Sequence, residues 1–254
     1  MQSSHIIETR GIVKTFGGLR ALDGVDIKVQ RGSLTLLIGP NGSGKTTLIN
    51  VIGGVYKPDA GQVIYEGEDI TGLPPHEIYH KGIVRTFQIP RLFKNLIVTE
   101  NLATAKRGNP GENVYLAPLK SRWIDFETKT IRESMITELK LKILHMWNRK
   151  SSELSGGQMK LVEIGRSLMA GARLVLMDEP AAGVNPTLAH QIFAMLKEMT
   201  RGLGITFLIV EHRLEIAAEY ADYAIAMARG KVISEGKPSE VMTDPVVVKS
   251  YLEG

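Results

Sequence analysis

The chain of 254 residues contains no cysteine. That absence excludes disulfides, thiolate zinc sites and thiol nucleophiles. Long apolar runs are also missing. None comes near the ~20 residues a membrane helix needs, and the longer ones, such as Leu34–Ile38 or Ile205–Val210, are of strand length. Met1–Arg10 carries no apolar signal-peptide core, so any membrane role is expected from the water side. Charge of one sign is scarce: Lys plus Arg number 31, Asp plus Glu 27, and the net charge is +4. Such an excess gives little support to nucleic-acid binding and suits any anionic ligand. No repeat or low-complexity segment is present, and hydrophobic residues at 43% with charged residues at 23% are those of an ordinary globular chain, which excludes a collagen-like or disordered one. At ~150 residues per domain the length fits one domain, or one with a subdomain.

The apolar pattern points to an α/β fold. Ile6–Glu8 and Ile12–Lys14 read as short β segments separated by turn-like residues, and Val25–Val29 alternates as a half-buried strand does. Leu34–Ile38, Leu174–Met177 and Ile205–Val210 are continuous apolar runs, expected as buried strands. Helices are expected at about Lys45–Gly53 and Leu188–Arg201, and strands alternating with helices predict a parallel sheet. Val63–Tyr65 reads as a further β segment and Ala224–Ile233 as a hairpin. Short helices are expected around Pro238–Met242 and Val246–Leu252. Between about 90 and 170 the pattern becomes helical. Ile131, Met135, Ile136, Leu139, Ile143 and Leu144 recur at helical spacing, whereas 107–122 reads as irregular connection.

Glycine is plentiful, 26 residues, and its placement is informative. Gly39-Pro40-Asn41-Gly42-Ser43-Gly44-Lys45-Thr46 matches G-x-x-x-x-G-K-[ST], between a buried strand and a helix. Glycines let backbone N–H groups converge on an anion, and the helix N-terminus adds partial positive charge. Lys45 is expected on the β- and γ-phosphates and Thr46 on Mg²⁺, with Thr47 in the same nucleotide-binding set. Arg173–Met177 runs into Asp178 and Glu179. Asp178 suits the Walker B role toward Mg²⁺, and Glu179 is placed to polarise an attacking water. A third core strand ends at Glu211-His212. Ligands of open α/β sheets gather at strand carboxyl ends, so three such ends converging is the main residue-level argument for one site.

Leu154-Ser155-Gly156-Gly157-Gln158 opens another helix and is a second phosphate-type N-terminus. A symmetric pair of chains would use both sites if each offered its second one to the other's nucleotide. Walker A, Leu-Ser-Gly-Gly-Gln and Walker B in this order resemble the ATPase subunit of an ABC transporter, across essentially the whole chain. The resemblance implies a P-loop ABC ATPase fold over 1–254 with a mixed sheet, an N-terminal β subdomain and a helical subdomain. Residues 1–89 and 171–254 would form the nucleotide-binding core and about 90–170 the helical part. It implies ATP and Mg²⁺ as ligands, stacking of adenine on Phe16, a Q-loop role for Gln88 toward Mg²⁺ and the membrane subunit, and a switch role for His212 at the γ-phosphate. It also places Ser155, Gly156, Gly157 and Gln158 on the γ-phosphate of the opposite subunit.

Arg85-Thr86-Phe87-Gln88 with Arg91-Leu92-Phe93, Asp178–Pro186 and Tyr251-Leu252 look like the branched-chain amino acid uptake subfamily. The expected partners are a second ATPase subunit (identical or a paralogue), membrane permeases contacted through Gln88–Phe93 and, indirectly, an external solute-binding protein. No nucleic acid is expected, and the expected location is the cytoplasmic face of the membrane. Arg213 follows His212 where these relatives usually carry an acidic residue, and 107–150 look unlike them. The alternatives are an ABC ATPase for another cargo, such as lipid or polysaccharide export, and a soluble ABC ATPase of translation or DNA repair. A single P-loop without sustained heptads argues against the last.

Overall fold

The computed structural model describes residues 4–86, 90–106 and 137–252. In chain order the strands are β1 (His5–Phe16), β2 (Leu19–Gln30), β3 (Leu34–Ile38), β4 (Ala60–Tyr65), β5 (Glu68–Asp69), β6 (Ile83–Arg85), β7 (Leu174–Asp178), β8 (Thr206–Val210), β9 (Tyr223–Ala228) and β10 (Lys231–Gly236). They make an antiparallel sheet of order β2-β1-β4-β5 and a six-stranded sheet of order β10-β9-β3-β8-β7-β6. In the larger sheet β9, β3, β8, β7 and β6 pair in parallel, and only β10 runs antiparallel, against β9. The sheet is therefore mixed.

Side chains of a strand point alternately to the two faces, and both faces of the large sheet carry core. On one side Leu34, Leu36, Ile38, Val175, Met177, Phe207 and Ile209 pack with helices Pro186–Leu203 and Gly156–Met169. On the other Leu37, Leu174, Leu176, Leu208 and Val210 pack with helix Lys45–Ile52 and the inner face of the small sheet. Burial on both faces explains why β3, β7 and β8 are apolar almost throughout, with Thr35, Thr206 and the terminal Asp178 the exceptions.

Two local readings differ from expectation. Ile6–Glu8 and Ile12–Lys14 belong to one strand, not two, because Gly11 sits in a register shift that its N–H secures on the Asp26 carboxylate at 2.6 Å. A helix at Pro75–Lys81, opened by Pro75 and closed by Gly82, leads into β6. The proline-first, glycine-last signature was readable, but a strand of three residues leaves no periodicity to detect. In the middle of the chain the described helices are Val98–Ala103, Thr137–Leu144 and Gly156–Met169. Leu139 and Ile143 are buried as their spacing predicts. Ile131, Met135, Ile136 and the stretch 107–122 lie outside the described residues.

Phe193 is fully buried between helix and sheet. Phe193→Ala should cost about 3–5 kcal/mol of unfolding free energy, read by urea denaturation. Leu203→Ala, at a half-exposed position on the same helix, should change it by no more than about 0.5 kcal/mol.

Candidate nucleotide site

The loop Gly39–Gly44 joins β3 to helix Lys45–Ile52, so its curvature is set by the fully buried strand before it. Gly39 adopts φ +143°, and a Cβ there would lie 2.0 Å from the Met227 carbonyl oxygen; only glycine lets the loop approach β9 this closely. The Gly39 N–H donates to the Tyr251 hydroxyl at 2.8 Å, so the last helix, Pro245–Leu252, touches the loop. Burial pushes the Tyr251 hydroxyl above its ordinary pKa. Lys45 is buried and folded back, its Nζ donating to the carbonyls of Gly39 at 2.7 Å and Pro40 at 2.8 Å. Burial lowers its pKa, and Asp178 and Glu179 oppose that shift.

A cavity of about 520 Å³ opens over this loop. Phe16, Asn41, Gly42, Ser43, Gly44, Lys45, Thr46 and Thr47 line it together with Glu179 and His212. Residues from four separated stretches of sequence thus share one concave surface, as a built ligand site requires. Phe16 is exposed and meets Tyr56 edge-on with ring centroids 5.2 Å apart, while Lys14 Nζ lies 5.6 Å from its centroid. Phe16 is therefore not core, and its free area can take a flat ring.

Parallel pairing brings the chemistry-bearing strand ends together. Val210 of β8 is the partner of Leu37 on one side and of Asp178 on the other. Glu179 follows in the left-handed region at φ +50°, and its carboxylate stands 3.2 Å from His212 Nε2. Burial raises the pKa of Asp178; Arg85 pulls it down, Glu179 pushes it further up, and Lys45 and His212 pull it down. Arg85, which also hydrogen-bonds Asn50, stood in the sequence only as part of the Arg85–Gln88 motif: its proximity to Asp178 follows from the pairing of β6 with β7.

Ser155–Gln158 does not line this cavity. Ser155 caps helix Gly156–Met169, accepting from Gln158 N at 3.3 Å, while the Gln158 side chain accepts from Ser155 N at 3.0 Å. This reciprocal box leaves Ser155 and Gly156 exposed. A Cβ on Gly157 would meet the Leu188 side chain at 2.3 Å, so glycine permits close packing on helix Pro186–Leu203. Gln88 lies outside the described residues. The chain beyond it is ordered by buried Asn101, which accepts from Phe93 N at 2.9 Å and donates to Ser151 Oγ at 2.8 Å.

Burying the Asp178 charge has a sign. With its pKa raised on folding, the folded chain holds the proton more readily than the unfolded one. The charged form therefore costs stability above the raised pKa, and that cost disappears as the pH falls through it. Nucleotide-free Asp178→Asn should melt above the native chain at neutral pH, and the gap should narrow as the pH is lowered. Thermal melts of both chains across that range check it.

Comparisons with known proteins fit this geometry. The ABC transporter family model matches residues 22–182. A probable branched-chain amino acid transport ATP-binding protein LivG of Methanocaldococcus jannaschii is 49% identical, over 98% of this chain and 97% of that protein. Its namesake in Archaeoglobus fulgidus is 47% identical, over 97% and 95%. Among solved structures, the ADP conformation of an ATP-binding cassette of an ABC transporter superposes with TM-score 0.84 at 47% identity, covering 99% of this chain and all of that one. A dimeric cassette in a post-hydrolysis state, bound to ADP and phosphate, gives TM-score 0.73 at 25% identity over 91% and 98%. With the loop, the strand-end carboxylates and the capped signature helix in this arrangement, the chain belongs to the ABC transporter family, as one of its ATP-binding, ATP-hydrolysing subunits.

Proposed function

We propose that this chain powers import of branched-chain amino acids or related solutes, working at the cytoplasmic face of a membrane. The placement of Ser155–Gln158 outside the cavity, with Ser155 and Gly156 exposed, supports the mechanism: the two phosphate-type sites of one chain do not meet, so a second ATPase subunit completes each. That subunit is a second copy or a paralogue. The cargo reading rests on the printed names of relatives that match almost end to end.

In this reading the adenine stacks on Phe16 and the phosphates lie along the amides of Gly39–Thr47. Lys45 leaves its own loop carbonyls for the β- and γ-phosphates. The Thr46 hydroxyl and the desolvated Asp178 carboxylate are hard oxygen donors, chemistry that suits Mg²⁺. Bound there, Mg²⁺ supplies neutralisation of phosphate charge. Glu179 orients the attacking water, and His212, held against the Glu179 carboxylate, faces the γ-phosphate. Gln88 senses Mg²⁺ and the membrane subunit. The partner's signature serine and glycine amides close the γ-phosphate cage, and catalysis is chiefly positioning and electrostatic stabilisation. ATP drives closure only through tighter binding to the closed pair.

Among the described residues no helix is long and apolar enough to cross a membrane. In this reading the transport path is formed by permease partners, with an external solute-binding protein beyond them. We take 1–89 and 171–254 as the nucleotide-binding core and about 90–170 as the helical part that meets the permease. A groove of about 580 Å³ lies between them, lined by Tyr79, Arg85, Arg91, Lys106 and Arg166. At its margin Phe93 is exposed beneath the Arg166 guanidinium.

Mild-detergent capture of the tagged chain from native membranes, read by mass spectrometry, should recover a multi-span permease, with or without a second ATPase. Ribosomes or repair proteins without a permease would overturn the transport reading. Glu179→Gln should bind ATP, lose at least ~100-fold of its hydrolysis rate, in the range of removing a key catalytic group, and elute as an ATP-dependent dimer in gel filtration. Rapid turnover by that variant would remove Glu179 from its role.

A further inference from the structure

The loop from Glu179 to Val184 connects β7 to helix Pro186–Leu203 and carries the residue assigned to the attacking water. Glu179 is in the left-handed region at φ +50°, uncommon for a residue with a side chain and sustained only where the surroundings over-determine it. Its N–H donates to the Val210 carbonyl at 2.8 Å, and its own carbonyl accepts from Ala182 N at 3.1 Å. The Glu211 carboxylate accepts from Ala181 N at 3.3 Å, and Arg213 Nη1 donates to the Val184 carbonyl at 2.7 Å.

A further tie comes from a different element. Lys160, on helix Gly156–Met169, is only 8% exposed. Its Nζ donates to the Ala182 carbonyl at 2.6 Å and to the Glu179 carbonyl at 3.2 Å. An ammonium has three donors, and a buried one is costly unless they are bonded. Lys160 commits two of them to main-chain oxygens at the two ends of the turn Glu179–Ala182. It is absent from the lining of the nucleotide cavity. Yet it stands five residues after Ser155 on the helix whose start is offered to the partner's nucleotide.

We propose that Lys160 is a positioning residue for hydrolysis: it fixes the backbone turn that aims the Glu179 carboxylate, and it makes the signature helix and that turn one rigid unit. This rests on Glu179 orienting the attacking water. A lysine that only supported the fold would move stability and nucleotide binding along with turnover. A lysine that aims Glu179 moves kcat and leaves nucleotide binding in place.

The test uses the full chain with Lys160→Met, Lys160→Arg and Glu179→Gln in parallel. Steady-state ATPase rates, binding of a fluorescent ATP analogue and hydrogen exchange across 179–184 are measured. Lys160→Met should lower kcat at least tenfold and keep nucleotide Kd within twofold. Its amides between Ala181 and Val184 should exchange faster, while those of β3 and β8 hold. Lys160→Arg, which keeps donors at that depth, should recover a third or more of the native kcat. Should Lys160→Met fail to fold, Lys160→Gln reads the same split of kcat against binding. Native-like kcat in the folded variant without the ammonium overturns the proposal, as does a loss of binding that matches the loss of kcat. If Glu179→Gln abolishes turnover while Lys160→Met does not, the tie alone fails. If Glu179→Gln turns over normally, the role of Glu179 fails, and the proposal with it.

Discussion

One rung of the large sheet holds the nucleotide site together: Leu37, Val210 and Asp178 lie side by side across β3, β8 and β7. The P-loop leaves one end of that rung, Glu179 follows the other, and Glu211-His212 continues its middle. Because strand pairing is specified by which side chains face the core, a one-residue slip would turn every buried side chain of a strand to the opposite face. Both faces are buried here, yet they meet different partners: Phe207 and Ile209 pack on one side, Leu208 and Val210 on the other. The register of the chemistry is thus enforced by apolar packing several residues away from it.

The charged groups around that rung are held in tension. Asp178 is desolvated with Arg85 and Lys45 as its opposing charges. Lys45 is itself desolvated and satisfied by the carbonyls of its own loop. Such a loop holds no bare cation: the Lys45 ammonium already has main-chain oxygens as partners. Ser155 and Gln158 are likewise satisfied by each other. Both stretches thus satisfy their polar groups with local partners, and any ligand at either one would have to exceed those bonds to displace them.

Much of this was legible in the sequence. The P-loop, the strand-end carboxylates and Ser155–Gln158 are local patterns readable from spacing, and the structure brings the loop and Glu179 to one cavity and makes Ser155–Gln158 a helix cap. The buried strands announced themselves as apolar runs. The signal fails where a residue acts across the fold. Lys160 looks like a solvated helix residue until Glu179 and Ala182 carbonyls are seen to receive it. Arg213, marked only as a departure from its relatives, reaches the Val184 carbonyl. Tyr251 was noticed for resemblance alone, and its hydroxyl lies against the Gly39 amide. Each contact joins residues set apart by a tertiary path that periodicity does not encode.

The position of β3 has a consequence for biosynthesis. Its two neighbours, β8 and β9, arise from Thr206–Val210 and Tyr223–Ala228, and Leu34 pairs with Phe207. During translation, at ~5–20 residues per second, the P-loop strand is made early and stays without either neighbour for many seconds. Throughout that interval Leu34–Ile38 is an apolar segment with two open hydrogen-bonding edges, the kind of surface that pairs with other chains. The arrangement that collects the site at one end of the sheet therefore leaves its first strand open to mispairing until the later strands are made.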